Sequence, residues 1–553
     1  MGGANALYYG DNLSVLRESI ATESVDLIYL DPPFNSSASY NVLFKAPGGE
    51  QSAAQIEAFD DTWHWNESAE RAFDDVVTGP HSDAAIMLRA MRSALGENDM
   101  MAYLAMMAVR LIEMHRVLKP TGSLYLHCDP TASHYLKIIL DAVFEPVNFR
   151  SEIIWKRTFA HGSAKRWGDV HDTIFHYSRN SSFTWNRVLQ QHDESYVEDK
   201  YRFNDSRGRY RLVVLTAPGV RHGESGKPWE GYDPTSAGRH WAVPSRAIDS
   251  LRAEGIAVPD GLQMQLDLLL ANDYVRIPQK RDGSTGVPEF KLYLDPGQPI
   301  QDVVLDIPPL NSQAQERLGY PTQKPVALLE RIICASSNEG EVVLDPFCGC
   351  GTTVHAAQKL GRKWIGIDVT HLSIGLIERR LRKAFPAVQF EVHGVPRDHA
   401  GATDLAERDK YEFQKWIVAA IDGQPYKGGR KGMDRGIDGY LHFRDADRKP
   451  QFAIISVKGG GTKSGDVRDL KGTIEREKAA LGLFLTLNEP SREMEREAVA
   501  AGFYETGGRK FPRLQILTAA DVLAGKRPQV PFGHVEGYKA AQREAADSQA
   551  DLF

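Results

Sequence analysis

Residues 25–35 read Val-Asp-Leu-Ile-Tyr-Leu-Asp-Pro-Pro-Phe-Asn. An apolar run, 27–30, ends abruptly at an acid, two prolines and an aromatic. Such a run suits a strand buried on both faces of a parallel sheet. Pro32 and Pro33 cannot continue a central strand, so Asp31 is expected at its carboxyl end, where open α/β sheets bind ligands. The Asp31 carboxylate and the Pro32 carbonyl can both accept hydrogen bonds from one amino group. Phe34 offers a flat face for stacking. Together they suit the exocyclic amino group of a nucleobase drawn out of its helix. A strand end followed by a turn is the plainer reading of Asp-Pro-Pro taken alone.

A second constellation lies at residues 341–353, Glu-Val-Val-Leu-Asp-Pro-Phe-Cys-Gly-Cys-Gly-Thr-Thr. Residues 342–344 form a buried strand that ends at Asp345. Gly349 and Gly351 let the backbone pass close to a ligand. Thr352 and Thr353 open a helix whose free N–H groups point at the crevice. Residues 364–367 form another strand, ending at Asp368, 23 residues after Asp345. An acid about 20 residues beyond a glycine loop commonly grips ribose hydroxyls. The loop lacks the Gly-x-Gly-x-x-Gly spacing of dinucleotide sites, and the Asp345 carboxylate suits a cationic ligand. Near the start, a strand over 6–9 ends at Gly10-Asp11-Asn12, with Asn12 or Ser14 capping a helix that carries Leu13, Leu16 and Ile20. Asp11 is a third candidate acid, or a plain turn residue.

The elements that must position these groups alternate. Residues 101–118 have the periodicity of an amphipathic, Met-rich core helix, stopped by Pro-Thr-Gly at 120–122. Strand, helix, strand and strand follow at 123–127, 133–144, 153–155 and 173–177. The alternation argues an α/β, doubly wound parallel sheet. Residues 36–98 are expected as polar loops and short helices beyond the site.

Composition bounds the class. The chain has 553 residues, 42% hydrophobic, with net charge −7. That allows about three or four domains. The four cysteines make no disulfide framework and no zinc pattern. With no apolar run near 18 residues and no leader pattern, a cytoplasmic protein without a membrane partner is expected. Any contact with nucleic acid must be local. Residues 200–246 supply it: nine Lys/Arg against four acids, with six interleaved aromatics. Basic groups attract phosphate and aromatics stack on bases, so Arg202, Arg207, Arg209, Arg211, Arg221, Trp229, Arg239 and Trp241 are candidate DNA contacts. A solvated, Gly-rich insertion is the alternative.

Asp31-Pro32-Pro33-Phe34 resembles motif IV of the DNA amino-methyltransferases, which modify adenine N6 or cytosine N4. Thr322-Gln323-Lys324-Pro325 and the apolar helix after it resemble motif X, residues 345–353 motif I, and Gly10-Asp11 motif III. Catalytic motif first and cofactor motif later is similar to the β-group order. Type III modification subunits share many of these motifs. The resemblance covers about residues 5–390. It implies a Rossmann-like sheet with catalysis at Asp31, Pro32, Pro33 and Phe34. It implies S-adenosyl-L-methionine held by Asp11, Thr322, Gln323, Lys324, Asp345, Pro346, Phe347, Cys348, Gly349, Gly351, Thr352 and Asp368. It implies a catalytic half over 1–187, a target-recognition insertion over 188–302, a cofactor half over 303–395 and a linker over 396–410. Double-stranded DNA is the implied partner, with adenine favoured because cytosine-N4 enzymes often carry Ser first. Cytosine N4 and RNA stay open, as do a homodimer and a restriction partner.

Residues 411–534 resemble the Mrr-like branch of the PD-(D/E)xK restriction-endonuclease fold. The resemblance rests on a helix bearing Glu412, then Asp438, then a strand ending in Lys458. It implies a divalent ion such as Mg2+ held by Asp438, with Glu412 as a second candidate ligand, and Lys458 assisting water. Ser456 stands where an acid or glutamine belongs, and a hydroxyl replaces a charged oxygen ligand poorly. Three expectations remain open: a nuclease, making a bifunctional restriction-modification enzyme; a DNA-binding remnant; and a structural domain with Asp438 in a turn, since residues 436–439, Gly-Ile-Asp-Gly, are turn-like. Residues 535–553 are expected as a loose tail.

Overall fold

The computed structural model describes residues 5–33, 40–42, 56–59, 64–158, 165, 167–311, 314–318, 320, 322–426, 436–531 and 544. Nine strands form the main sheet: β1 (Asn5–Tyr9), β2 (Val25–Leu30), β3 (Leu118–Cys128), β4 (Phe149–Lys156), β5 (His171–Ser178), β6 (Val303–Val304), β7 (Val342–Asp345), β8 (Lys363–Asp368) and β9 (Phe390–His393). Their order is β6-β4-β5-β3-β2-β7-β8-β1-β9. β5 runs antiparallel to β3 and β4, and every other pairing is parallel. The all-parallel sheet expected from alternation is corrected at that strand. Among the described residues no crossover helix separates β4 from β5, and neighbours joined without a crossover pair antiparallel.

The sheet is buried on both faces. Ile28 and Leu30 of β2 pack under α1 (Asn12–Ser19), α2 (Asp99–Val117) and α3 (Pro130–Phe144). Leu27 and Tyr29 pack under α4 (Val326–Ser336), α5 (Thr352–Lys359) and α6 (His371–Ala384). This explains the continuous apolar run: a strand covered on both sides has no polar face to alternate with. The helices around 36–98 are longer than expected, at Glu67–Thr78 and Ser82–Leu95. Asn66 caps the first, accepting from the Ser68 and Ala69 N–H groups, and Ala72, Phe73 and Val76 pack into the core.

A second compact unit spans Leu189–Ile300. Its four-stranded antiparallel sheet joins Val275–Arg276, Glu289–Tyr293, Gly208–Val214 and Phe203–Asp205. Its core includes Leu215, Trp229, Trp241, Leu266 and Phe290.

The C-terminal part belongs to the first unit. The segment expected as a linker is instead helix α7 (His399–Arg408), because Ala402, Leu405 and Ala406 recur at helical spacing and bury in the core that follows. Helix α8 (Lys410–Ala420) leads to β10 (Gln424–Pro425), β11 (Gly439–Arg444), β12 (Pro450–Lys458), β13 (Leu481–Thr486) and β14 (Leu514–Thr518), adjacent in that order. β10 to β12 pair antiparallel and β12 to β14 parallel. Of the tail, only Glu544 is described; it pairs with His355 (2.9 Å). Among the described residues no helix is long and apolar enough to cross a membrane.

Candidate active site

Parallel pairing brings the carboxyl ends of neighbouring strands to one edge. Val343 pairs with Leu27 and Leu344 with Ile28, so Asp345 and Asp31 leave adjacent strands on the same side. Asp345 pairs with Gly366 and Tyr9 with Asp368, which brings in Asp368 and the turn at Gly10-Asp11. These four acids line one cavity of about 300 Å³ with Pro32, Pro33, Thr322, Gln323, Lys324, Pro346, Phe347, Cys348, Gly349 and Thr352. Gly351 stands behind the wall, at φ +74°, as the cap of α5. A side chain there would lie 2.8 Å from Ile377. No side chain caps α5, which leaves the first-turn N–H groups for a ligand. Phe34 lies outside the described residues.

The acids differ in setting. Asp345 is 3% exposed, and burial, with Asp31 and Asp368 adding, pushes its carboxyl up to about 7. Burial also raises Asp368, although it accepts from the Gly349 N–H, the Thr370 N–H and the Thr370 hydroxyl, each at 2.9 Å. Asp368 therefore shapes the glycine turn and the start of α6. Asp11 caps α1, accepting from Leu13 and Ser14 N–H, so neither Asn12 nor Ser14 is the cap. Asp11 also accepts from buried Arg110 at 2.7 Å, and Arg110 reaches Asn12 at 2.6 Å. Gln323 lines the cavity, but its amide spans Leu318 and Glu316 and holds that loop.

Lys324 donates to the Asp31 carboxylate at 2.5 Å. The resemblance to motif X had placed this lysine with the cofactor residues alone. Tyr29, two residues before Asp31 and on the same side of β2, also lines the cavity. Its hydroxyl meets His127 Nδ1 at 2.8 Å, and His127 Nε2 meets Asp172 at 3.0 Å. Burial opposes the Asp172 charge, but the His127 hydrogen bond and the charges of Lys324 and Arg157 hold its carboxyl below the usual range. With Asp172 ionised, His127 donates to it from Nε2. Tyr29, His127, Asp172 and Arg110 were not anticipated. A lone arginine inside an otherwise apolar helix face was the one legible sign of Arg110.

Two candidate DNA contacts, Trp229 and Trp241, lie in the core. Trp229 and Trp241 are buried, edge to face at 5.6 Å, and their indole N–H groups donate to Asp267 and to the Lys227 carbonyl. They are core, not stacking platforms. Arg239 donates twice to Thr216. Arg207 lies over the Tyr274 ring and pairs with Glu254. Arg211 sits half-buried 5.7 Å from Tyr201, and Arg202 pairs with Asp199. Arg209 and Arg221 are exposed.

Among the described residues the C-terminal constellation gathers no set of metal ligands. Asp438 stands opposite Ser456, one step before the Gly439–Ile455 pair. One of its carboxylate oxygens already accepts the Val457 N–H at 2.6 Å. Lys458 lies 3.9 Å from Asp466. Glu412 is not with them: it accepts from the Tyr9 hydroxyl and from Lys415 (2.7 Å), while Gln414, on another face of α8, reaches the Asp438 carbonyl. Among the described residues no three His, Cys, Asp or Glu side chains gather as a metal site.

Residues 25–377 match the N6/N4 DNA methylase family. The type II methyltransferase M.EcaI of Enterobacter cloacae is 30% identical over 380 residues, 68% of this chain and 69% of that protein. The Mod subunit of the type III restriction-modification enzyme StyLTI of Salmonella typhimurium is 25% identical over 375 residues; the match takes in 65% of this chain and half of that subunit. The DNA adenine methyltransferase YhdJ of Escherichia coli is 48% identical over 113 residues, 20% of this chain and 38% of that one.

Proposed function

This chain belongs to the N6/N4 DNA methylase family, and on that premise we propose that it methylates adenine N6 in double-stranded DNA from S-adenosyl-L-methionine. One observation carries the reading: Asp31 and Gly349 line the same cavity. The cavity holds four carboxylates against two cations, Arg110 and Lys324. That excess of negative charge fits a ligand bearing a sulfonium and an ammonium group. When bound, the cofactor supplies an electrophilic methyl group. Asp345 and Asp368, the turn at 346–349 and the uncapped start of α5 are the residues that would hold it.

The chain's own part in the chemistry falls to Asp31 and Pro32. An aromatic amino group is a weak nucleophile because its lone pair is shared with the ring. Accepting both of its N–H bonds, at Asp31 and at the Pro32 carbonyl, favours a pyramidal nitrogen with a free lone pair. The same fixed acceptors stabilise positive charge as it develops. Lys324 and the Tyr29–His127–Asp172 chain hold the base side of the cavity in place. Extrusion of the base costs a few kcal/mol, and phosphate contacts from the Leu189–Ile300 unit, Arg209 and Arg221 among them, offset it. Adenine is favoured because Asp opens the tetrapeptide and because YhdJ, by name an adenine enzyme, is 48% identical where it aligns. The sheet order of residues 424–518 supports a PD-(D/E)xK-like, DNA-binding domain, and no cleavage step is drawn through it.

Incubating the full chain with duplex DNA or RNA and methyl-labelled cofactor, then digesting to nucleosides, tests the reading. Label in N6-methyl-2′-deoxyadenosine from DNA is expected. Label only in N4-methyl-2′-deoxycytidine, or only in ribonucleosides from RNA, overturns it.

A further inference from the structure

Glu412, expected as a metal ligand, stands elsewhere, and its neighbours are informative. It occupies the first turn of α8, capped by Asp409. Its carboxylate accepts from the hydroxyl of Tyr9, the last residue of β1. The Tyr9 ring stacks on the imidazole of His371, the first residue of α6, with centroids 3.7 Å apart and planes 13° from parallel. His371 Nε2 is buried 3.7 Å from Glu412. Lys415 fixes Glu412 from its other side, and Arg379 of α6 pairs with Asp422 just beyond α8.

Tyr9 and His371 are the outer ends of two cavity loops. Gly10 and Asp11 follow Tyr9, Asp368 and Val369 precede His371, and all four line the cavity. The loops are tied together, since the Gly10 N–H donates to the Asp368 carbonyl at 3.0 Å. One carboxylate of the appended domain thus holds both loops from behind.

We propose that Glu412 is a positioning residue for the cofactor site, fixing Tyr9 and His371 so that Asp11 and Asp368 meet the ligand in register. The inference rests on the reading of the cavity as the S-adenosyl-L-methionine site. It gives the C-terminal domain a part in methylation that requires no nuclease. Losing Glu412 leaves the Tyr9 hydroxyl half-buried without its acceptor and frees the stacked pair to shift. Neither group touches the reacting atoms, so the effect falls on cofactor affinity.

The test is calorimetric titration of the full chain with S-adenosyl-L-methionine, beside steady-state kinetics. Glu412→Ala should weaken cofactor binding about tenfold, the scale of a lost hydrogen bond to a charged group. KM for DNA and kcat at saturating cofactor should stay within about twofold, a split that general loss of folding would not give. Glu412→Gln, which keeps an acceptor, should recover most of the affinity. Tyr9→Phe should mimic Glu412→Ala, and the double variant should be no weaker than the worse single one, because both remove one interaction. Tyr9→Phe, which deletes a single oxygen, carries the test if Glu412→Ala fails to fold. Unchanged cofactor affinity in these variants, or an equal loss in KM for DNA, overturns the proposal. Failure of the unaltered protein to bind the cofactor overturns the cavity reading and the proposal together.

Discussion

Asp345 offers the sharpest quantitative test of the cavity. In the ligand-free protein its carboxyl is pushed up to about 7, first by burial and then by the charges of Asp31 and Asp368. A cationic ligand requires it ionised. If binding holds it so, the dissociation constant grows as one plus the ratio of protonated to ionised free protein. From that ratio the constant is about elevenfold above its alkaline limit at pH 6 and about 1.3-fold above it at pH 7.5, so affinity falls about eightfold across the interval. About 0.9 proton should leave the protein on each binding event at pH 6. Titration calorimetry in two buffers of different ionisation enthalpy reads both quantities. Staying below pH 7.5 keeps the ligand's own α-amino group, with a pKa of about 7.7–8.0, mostly charged. Asp345→Asn should bind more weakly and without pH dependence over the same range. Affinity that is flat between pH 7.5 and pH 6 in the unaltered protein, with no buffer-dependent heat, would refute the charge argument for this cavity.

The same shift has a stability counterpart. A carboxyl whose folded pKa is raised contributes stability below its unfolded pKa, and that contribution drains away as pH rises through the folded value. The loss reaches about 4 kcal/mol above neutrality, from a shift of about three pH units, so Asp345→Asn should raise the melting temperature of ligand-free protein most at alkaline pH. Asp31→Ala should cut methyl transfer by about a thousandfold while cofactor affinity by calorimetry stays within about threefold; equal losses in both would displace Asp31 from its role. Trp241→Ala should destabilise the Leu189–Ile300 unit by about 3–5 kcal/mol in denaturant unfolding. Arg209→Ala and Arg221→Ala should leave stability alone and each reduce the salt slope of DNA binding by about one; unchanged slopes would remove them from the interface.

The strand ends were legible because proline and glycine interrupt apolar runs in ways few alternatives allow. Asp31, Asp345 and Asp368 could be placed at sheet edges without knowing which strands are neighbours. Adjacency was less accessible: the pairing of Leu344 with Ile28 joins residues over 300 positions apart, and no local pattern reports it. The reversed β5 escaped because its buried run looks like those of the sheet's parallel strands. Trp229 and Trp241 show the limit of composition. A tryptophan amid arginines looks the same whether its ring faces solvent or core, and only the acceptors at Asp267 and Lys227 distinguish them. Glu412 failed for a related reason: its partners Tyr9 and His371 lie in another part of the chain.

Lys324 shows how one residue can belong to two halves of a site. Its segment has the pattern of a cofactor loop, yet its ammonium lies 2.5 Å from the Asp31 carboxylate and its charge also favours ionised Asp172. An ionised carboxylate offers about four acceptor positions, so the lysine and an incoming amino group need not exclude each other. On the proposed reading, the lysine orients Asp31 and leaves its remaining lone pairs for the base. Lys324 is carried by the loop that also supplies Thr322 and Gln323 to the cavity wall, so its hydrogen bond ties that loop to Asp31. On the proposed reading, cofactor and base would meet one shared element, the loop that carries Thr322, Gln323 and Lys324.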